Sequence, residues 1–325
     1  MNFRVVFFGT PAFAVPSLDA LVAAGCTVAA AVTQPDRPVG RHQVPTPPPV
    51  KEAALSYGIP VLQPEKVRTP EFEAAVRGFS PDLLVTAAYG RILPAGVLGA
   101  ARIAPLNVHA SLLPRYRGAS PIQRCLIDGA TETGVTIMRM DEGMDTGDVL
   151  LQRSVPVPED MDAEALEALL SRLGALALVE ALDRIRAGTA VFTPQDASRA
   201  TVVKPLDRED GRIDWSASAR AVRDLVRGTV PWPGAFTTLD GRRLKVHRAR
   251  VLAEGEAPGA VRGATASERA HSAAPGTVLG LLPDGLAVAC GDGATALLEV
   301  QPESGRRMGA RDFGLNLAPG SRFGS

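Results

Sequence analysis

The chain has 325 residues, of which 46% are hydrophobic, 22% charged and 5% aromatic. This composition excludes a disordered, a collagen-like and a small disulfide-stapled protein, and the length predicts two domains. Basic and acidic residues balance at 35 each, so the overall charge gives no sign of nucleic-acid binding. The net charge differs along the chain, however: residues 1–200 carry 18 basic and 21 acidic side chains, whereas residues 201–325 carry 17 basic and 14 acidic ones.

Cysteine and histidine usage predicts a reducing compartment without a metal site. Cys26, Cys125 and Cys290 are odd in number and distant in sequence, which is typical of buried free thiols. None of the four histidines has a zinc-binding spacing. No apolar run approaches the roughly 18 residues of a membrane span. We therefore expect a cytoplasmic protein that binds neither a metal nor a membrane.

Apolar runs alternate with amphipathic segments as far as residue 187. The runs predicted as strands are residues 3–8, 27–32, 59–62, 83–86, 106–109, 134–140 and 149–156. The segments predicted as helices are one through Leu18, Leu21 and Val22, then residues 50–57, 71–77, 122–127 and 163–187. This alternation predicts an α/β domain over residues 1–188, with an open, mainly parallel sheet flanked by helices. In such sheets, ligands bind beyond the carboxyl ends of the strands.

The rest of the chain has a different pattern. Residues 189–205 have few apolar side chains and two prolines, which predicts a linker. One helix is predicted next, over residues 217–227, followed by short strands at 235–239, 243–246, 277–282, 286–290 and 295–300. Many short strands separated by turn residues favour a smaller, OB-like β-barrel over residues 206–325. Residues 253–275 are predicted to form a loop.

The first strand-to-helix turn, Gly9-Thr10-Pro11, excludes two kinds of nucleotide site. It lacks the glycine spacing of a dinucleotide-binding turn, and the chain has no glycine-rich phosphate loop ending in Lys-Ser or Lys-Thr. Neither a dinucleotide site nor a phosphate-binding loop is therefore predicted.

The densest polar cluster surrounds Asn107 and His109, at the end of a predicted strand. Residues two apart on a strand share a face, so both side chains should project together. An amide can stabilise the oxyanion that forms when a carbonyl becomes tetrahedral, and an imidazole can move the proton. A capped strand end with a hydrogen-bonded histidine would give the same pattern.

A second cluster, residues 140–148, holds four acidic side chains between two predicted strands. A carboxylate from this segment could orient His109. A solvated acidic turn is the alternative, and the spacing does not fit a calcium loop.

A third feature is the long proline-rich segment at residues 34–49, inserted in a compact α/β unit. Long loops of this kind are often binding elements. Arg37 and Arg41 could contact phosphates from it, although an exposed loop without a function also fits.

Together these segments resemble the methionyl-tRNA formyltransferase family over nearly the whole chain. Asn107 to Gln123, running Asn-Val-His-Ala-Ser-Leu-Leu-Pro-Arg-Tyr-Arg-Gly-Ala-Ser-Pro-Ile-Gln, is the most specific stretch. The others, in chain order, are residues 6–11, 34–38 with 40–41, 87–94, 134–138, 145–148, 231–234 and 291–293. One departure is that His42 and Gln43 follow Arg41 where members of the family often carry lysine.

The resemblance implies an activity and its residues. It implies transfer of a formyl group from 10-formyltetrahydrofolate, as co-substrate, to the methionine α-amine of initiator tRNA, by direct attack through a tetrahedral intermediate. The implied catalytic set is Asn107, His109 and Asp145. The residues expected at the folate site are Tyr89, Gly90, Ile92, Ser111, Leu112, Leu113 and Pro114. The resemblance also implies a C-terminal domain that helps to hold tRNA, and we expect the chain to act as a monomer.

The tRNA contacts are expected from charge placement. Two of the residues, Arg37 and Arg41, lie on the inserted segment. The basic last third of the chain holds a candidate phosphate-binding set, which consists of Arg242, Arg243 and Lys245, with Arg248 and Arg250 nearby. An ordinary arginine-rich strand face is the alternative.

Three other enzyme activities and one non-catalytic function are the alternatives. An amino-sugar formyltransferase would use the same donor and catalytic trio, but the inserted segment and Asp145-Thr146-Gly147-Asp148 are nearer the tRNA enzymes. Glycinamide ribonucleotide formyltransferase would need a glycine-rich phosphate loop after the first strand. A formyltetrahydrofolate hydrolase is disfavoured by the added C-terminal domain, and a non-catalytic binding module by the intact trio.

Overall fold

The structure is a computed structural model that describes residues 2–39, 44–253, 255–256, 273–318 and 320–324. Arg41 and most of the predicted 253–275 loop lie outside the described residues. The chain forms two compact units. The first comprises Met1–Pro121, Glu132–Pro156 and Leu166–Lys204, and the second comprises Ile122–Thr131, Val157–Ala165 and Pro205–Ser325.

The helices and strands are numbered in chain order. The helices are α1 Val15–Ala23, α2 Pro49–Ser56, α3 Pro70–Gly78, α4 Ala95–Leu98, α5 Pro121–Ile127, α6 Ala163–Arg186, α7 Ala219–Gly228 and α8 Ala310–Gly314. The strands up to residue 156 are β1 Arg4–Gly9, β2 Thr27–Val32, β3 Arg37–Val39, β4 Val44–Thr46, β5 Val61–Leu62, β6 Leu83–Ala87, β7 Ala104–His109, β8 Arg117–Gly118, β9 Glu132–Arg139 and β10 Val149–Pro156. The later strands are β11 Val202–Val203, β12 Ala235–Leu239, β13 Arg242–Val251, β14 Val278–Leu281, β15 Leu286–Ala289, β16 Ala294–Pro302 and β17 Met308–Gly309.

A seven-stranded sheet organises the first unit, in the order β10-β9-β7-β6-β1-β2-β5. The pairs from β5 to β7 are parallel, whereas β9 is antiparallel to β7 and β10 to β9. The predicted open, mainly parallel sheet is therefore confirmed. The central strand β1 is apolar from Val5 to Phe8, and these four residues are fully buried, as a strand covered on both faces requires.

Helices α3 and α7 each begin after a residue whose side chain caps them. Thr69 accepts a hydrogen bond from the Phe72 N–H ahead of α3, and Ser218 accepts one from Ala221 ahead of α7. Such caps satisfy amide groups that have no partner inside the helix. The sequence predicts that α7 begins at residue 217. It begins at Ala219 instead, because Ser218 caps it.

The sequence did not predict two short strand pairs in the first unit. Within the 34–49 segment, β3 and β4 form an antiparallel hairpin. Farther along the chain, β8 pairs in parallel with β11. Both strands of each pair are only two or three residues long, so neither shows a period that a sequence pattern could reveal.

The second unit is built on an antiparallel sheet in the order β12-β13-β16-β15-β14, with β17 paired to β16. The smaller C-terminal β domain predicted from the short strands is confirmed, and its sheet is antiparallel. Residues 321–324 bind both edges of this sheet: Val278 donates to Ser321 O at 2.8 Å, and Gly324 donates to Thr238 O at 2.9 Å. Phe323 stacks on buried Trp215 between those edges, with ring centroids 5.8 Å apart. The C-terminal segment thus satisfies edges that would otherwise be open.

A buried ionic cluster stabilises the second unit. Asp224 is 2% exposed and accepts hydrogen bonds from Arg223 at 2.8 Å and Arg227 at 2.7 Å. Arg223 also contacts Glu159 at 3.1 Å, and Arg227 donates to Pro158 O at 2.9 Å. The cluster therefore joins α7 to the 157–165 segment, although the two are far apart in sequence.

Among the described residues, no helix is long and apolar enough to cross a membrane.

We expect Asp224→Ala to lower the free energy of unfolding of the second unit by about 3–5 kcal/mol, because it leaves two buried guanidinium groups without their shared carboxylate. Urea unfolding measures the change. Asp128→Ala is the matched control, since its ion pair with Arg124 is 43% exposed on both sides and such pairs contribute at most about 1 kcal/mol. Equal losses in the two variants would contradict the role given to the cluster.

Candidate active site

Asn107, His109 and Asp145 converge at the end of β7. The Asn107 amide Nδ2 lies 3.4 Å from Asp145 Oδ1. His109 Nδ1 lies 3.6 Å from Asp145 Oδ2, with the two side chains 6% and 17% exposed. One carboxylate thus faces both an amide and an imidazole. The predicted convergence of these three side chains is present, while their catalytic role stays a prediction.

Backbone contacts fix which nitrogen of His109 faces the carboxylate. His109 Nε2 lies 2.9 Å from the Tyr116 carbonyl oxygen. A carbonyl can only accept, so Nε2 must carry the hydrogen. In the neutral ring, Nδ1 is therefore the basic nitrogen, and it is the one that faces Asp145.

Asp145 lies on a loop that turns back toward β7. The preceding strand β9 pairs antiparallel with β7 and ends with Arg139 opposite Leu106, three residues before His109. Asp145 itself has a positive φ of 54°, a conformation that costs an aspartate about 1–3 kcal/mol and needs support from its surroundings. Part of that support is the Gly118 N–H, which donates to Asp145 Oδ2 at 2.8 Å.

Gly118 has to be a glycine for that contact to form. Its φ is 109°, and a Cβ at this position would lie 2.3 Å from the Val203 carbonyl oxygen. Any larger residue would push the backbone away from the neighbouring strand β11. The glycine therefore permits the close approach that brings its N–H to the Asp145 carboxylate.

The predicted folate residues Ser111 to Pro114 form a tightly held turn after β7. Buried Thr136 accepts from the Leu113 N–H at 3.1 Å and donates to Ser111 O at 2.6 Å. Gln152 donates to Leu113 O at 2.8 Å. Ser111 and Leu113 are buried, whereas Leu112 and Pro114 keep part of their surface exposed. Most of the polar groups of this turn are thus used internally, leaving its apolar edge available.

Tyr89, Gly90 and Ile92 follow β6, the parallel neighbour of β7, so they lie at the same edge of the sheet. The Tyr89 side chain points into the core, packs edge-on against Phe8 at 5.4 Å, and has a pKa raised to about 12 by burial. Its carbonyl accepts from Thr10 at 3.2 Å and Gln34 at 3.1 Å. Tyr89 therefore contributes backbone here, whereas Ile92 is 47% exposed.

Two clefts open beside this edge within the first unit. A cleft of about 590 Å³ includes Thr10, Gln34, Arg37, Gly90 and Arg91 in its lining. A second, of about 640 Å³, has Ile92 on one side and the start of α3 on the other. The predicted folate residues after β6 therefore divide between the two clefts.

The inserted 34–49 segment is anchored at its base by charge. Lys51 donates to both oxygens of Asp36 at 2.8 Å, and Gln63 donates to Asp36 Oδ1 at 2.8 Å. These hydrogen bonds hold the pKa of Asp36 below its usual value. Arg37 is exposed and lines the smaller cleft, and Arg41 lies outside the described residues.

The predicted tRNA residues of the second unit lie on β13 and differ in their surroundings. Arg242 and Lys245 are exposed. The Arg243 guanidinium stacks on Phe236, 3.5 Å from the ring centroid. Arg250 is held by Glu256 at 2.6 Å and Asp284 at 2.9 Å, so its charge is already matched. Arg242 and Lys245 are the members of this set best placed to meet phosphates.

The cysteines take no part in the site. Cys26, Cys125 and Cys290 are buried and form no disulfide with one another, as predicted. Burial raises the pKa of Cys290 to about 11 and also raises that of Cys26, which disfavours the reactive thiolate in both. In the part of the chain that the structure describes, no cluster of three or more His, Cys, Asp or Glu side chains could hold a metal ion.

The family model described as formyl transferase matches residues 1–182, and the one described as formyl transferase, C-terminal domain, matches residues 205–316. A methionyl-tRNA formyltransferase from Geobacter metallireducens is 47% identical over 322 residues, 98% of this chain and 98% of that protein. One from Anaeromyxobacter sp. (strain K) is 52% identical over 316 residues, 97% of each chain.

Solved structures with the same fold are more distant in sequence. An N-formyltransferase from Helicobacter canadensis, in complex with folinic acid and dTDP-3-aminofucose, aligns with a TM-score of 0.64 at 15% identity, over 92% of this chain and 99% of that chain. HypX from Aquifex aeolicus, in complex with tetrahydrofolic acid, aligns with a TM-score of 0.63 at 18% identity, over 96% of this chain and 47% of that chain. At these identities the likeness concerns the fold alone.

Proposed function

The chain belongs to the methionyl-tRNA formyltransferase family, and from that membership we propose that it transfers the formyl group of 10-formyltetrahydrofolate to the α-amine of initiator methionyl-tRNA. The products are N-formylmethionyl-tRNA, which is used to initiate translation, and tetrahydrofolate. The Asp145 carboxylate faces both Asn107 and His109. This arrangement is the structural observation that supports the proposed reaction.

The proposed mechanism is direct attack by the neutral methionyl nitrogen on the formyl carbon. The carbonyl oxygen becomes an oxyanion, and the Asn107 amide, which has two N–H groups, directs one toward Asp145 and donates the other to this oxygen. Collapse of the intermediate breaks the bond from carbon to N10 of the folate. The attacking nitrogen loses a proton and N10 gains one. Because the amine attacks the formyl carbon directly, no covalent bond to the enzyme forms.

His109 Nδ1 is the group that moves this proton. Because its Nε2–H is committed to the Tyr116 carbonyl, Nδ1 accepts the proton from the attacking nitrogen and returns it to N10. The imidazolium that forms in between has the Asp145 carboxylate 3.6 Å away, which stabilises the positive charge.

We propose that the folate lies along the edge formed by the segments after β6 and β7. The exposed apolar surface of Ile92, Leu112 and Pro114 would contact its rings, with Gly90 allowing close approach of the backbone. Tyr89, Ser111 and Leu113 would act by holding these segments in place, because their side chains are buried.

For tRNA, we propose phosphate contacts by Arg37 and Arg41 of the inserted segment and by Arg242, Arg243 and Lys245 of β13. Arg242 and Lys245 present exposed charges, whereas the Arg243 guanidinium is stacked on Phe236. We further propose residues 1–188 as the catalytic domain, 189–205 as its connection, and 206–325 as the tRNA-assisting domain. We also propose that the reaction takes place in the cytoplasm, where initiator tRNA is charged, and that the chain acts as a monomer.

The function is tested by transfer of labelled formyl from 10-formyltetrahydrofolate to initiator methionyl-tRNA, with elongator methionyl-tRNA and a nucleotide-linked amino sugar as controls. We expect transfer to the initiator alone, with a KM for tRNA that rises with salt concentration as phosphate contacts weaken. Transfer to the amino sugar but not to tRNA would support the competing activity and refute the proposed one. A KM independent of salt would contradict the phosphate contacts.

Asn107→Ala should lower kcat by about 10²- to 10³-fold, the usual loss when one oxyanion donor is removed. The far-ultraviolet circular dichroism spectrum should be unchanged, since the side chain is only partly buried. Asn316→Ala removes an exposed amide of the second unit and should leave kcat as it is. If Asn107→Ala turns over at the parental rate, Asn107 is not the oxyanion donor.

A further inference from the structure

The segment predicted as a linker makes ordered contacts with the candidate active site. Thr193 and Val149 exchange two backbone hydrogen bonds of 2.8 Å. Eight residues later, Thr201 Oγ1 accepts from the Tyr116 N–H at 2.7 Å, and β11 then pairs with β8. Residues 193–203, here called the 193–203 segment, thus contact the start of β10 and strand β8, which carries Gly118, all within the first unit.

The Gln195 side chain of this segment contacts both the loop that carries Asp145 and strand β8. Its Nε2 donates to the carbonyl oxygens of Asp145 at 2.9 Å and Gly147 at 2.7 Å. Its Oε1 accepts from Arg117 Nε at 3.1 Å and from Arg117 Nη2 at 2.8 Å. A carboxamide has two N–H donors and two acceptor positions on its oxygen, so all four are used.

Both ends of the Gln195 carboxamide bind residues that support the catalytic trio. On one side, it binds the carbonyl of Asp145, the residue whose backbone has a positive φ and whose carboxylate faces Asn107 and His109. On the other side, Arg117 lies between Tyr116 and Gly118. The Tyr116 carbonyl accepts from His109, and the Gly118 N–H donates to Asp145. The same amide therefore fixes the supports of the imidazole and of the carboxylate relative to each other.

We propose that Gln195 is a positioning residue for formyl transfer, holding the Asp145 carboxylate at the distance from Asn107 and His109 that catalysis needs. The inference rests on the proposed function and on Asp145 acting in it. Gln195 contacts the main chain of Asp145 rather than its carboxylate, so it acts by geometry and exchanges no proton with the substrate.

The chemistry of the contact explains why a glutamine is required. Glutamate at this position would keep an acceptor for Arg117, but its carboxylate has no N–H and would face two carbonyl oxygens. Methionine would keep the length of the side chain and lose all four hydrogen bonds. Both changes remove the support from the Asp145 backbone, one with the Arg117 contact kept and one without it.

Kinetics of Gln195→Met and Gln195→Glu test the proposal in the full chain. Since small displacements of a catalytic group lower rates by up to about 10²-fold, we expect kcat to fall about 10- to 100-fold in both variants. The KM for 10-formyltetrahydrofolate and for tRNA should change less than about twofold, because neither substrate contacts Gln195 in this account. Ser198→Ala is the matched control: it lies on the same segment, its hydroxyl donates only to exposed Asp196 at 2.6 Å, and its kcat should be unchanged.

A double-mutant cycle with Asp145→Ala separates positioning from general stabilisation. If Gln195 acts through Asp145, Gln195→Met should lower kcat by less than about twofold further once Asp145→Ala is present. An additional loss equal to that of the single variant would overturn the proposal, as would parental kcat in Gln195→Glu. If Gln195→Met melts below the assay temperature, the cycle is made with Gln195→Glu, which keeps the Arg117 contact.

The Asp145→Ala variant also distinguishes the two levels of the account. Parental kcat in Asp145→Ala would contradict the proposed catalytic set, whatever Gln195 does. A large loss in Asp145→Ala, together with normal kcat in both Gln195 variants, would leave the proposed function standing and reject the positioning role.

Discussion

The arrangement of the candidate active site depends on one carboxylate with several partners. Asp145 accepts a hydrogen bond from the Asn107 amide on one oxygen and from the Gly118 N–H on the other, and this second oxygen also lies 3.6 Å from His109 Nδ1. Hydrogen bonds to an ionised acceptor are stronger than neutral ones, and partial burial limits competition from water. This carboxylate therefore fixes the relative positions of an oxyanion donor and a base that come from one strand, and it does so from a separate loop.

The surrounding fold makes that geometry rigid rather than adaptable. Asn107 and His109 lie on a strand paired on both sides, by β6 and β9, so the face they share is set by the sheet. The turn that follows is held by Thr136 and Gln152 from the neighbouring antiparallel strands. Sites on paired strands with hydrogen-bonded supports keep their geometry better than sites on free loops. Only Asp145 lies on a loop, and that loop is tethered at the main chain by Gln195.

The sequence predicts those parts of the site that depend on residues close together in the chain, and it does not predict the parts that depend on residues far apart. Short-range patterns suffice for the parallel sheet, for the helices and for Asn107 and His109 sharing a face, because strand and helix periods are local. Asp145 could be named only through the family resemblance, since β9 leads away from His109 and no local pattern shows the loop turning back. The supports from Tyr116, Gly118 and Gln195 were not predicted, because they use main-chain atoms or a glutamine about fifty residues along the chain.

The most direct test of the central claim is a crystal structure of this chain with 5-formyltetrahydrofolate, a stable analogue of the donor. The account predicts that the N10 position of the bound folate lies beside β7, with room for a formyl oxygen about 2.7–3.1 Å from Asn107 Nδ2 and with His109 Nδ1 facing the same carbon. A folate bound with N10 on the opposite side of the Ser111 to Pro114 turn, out of reach of Asn107 and His109, would contradict it.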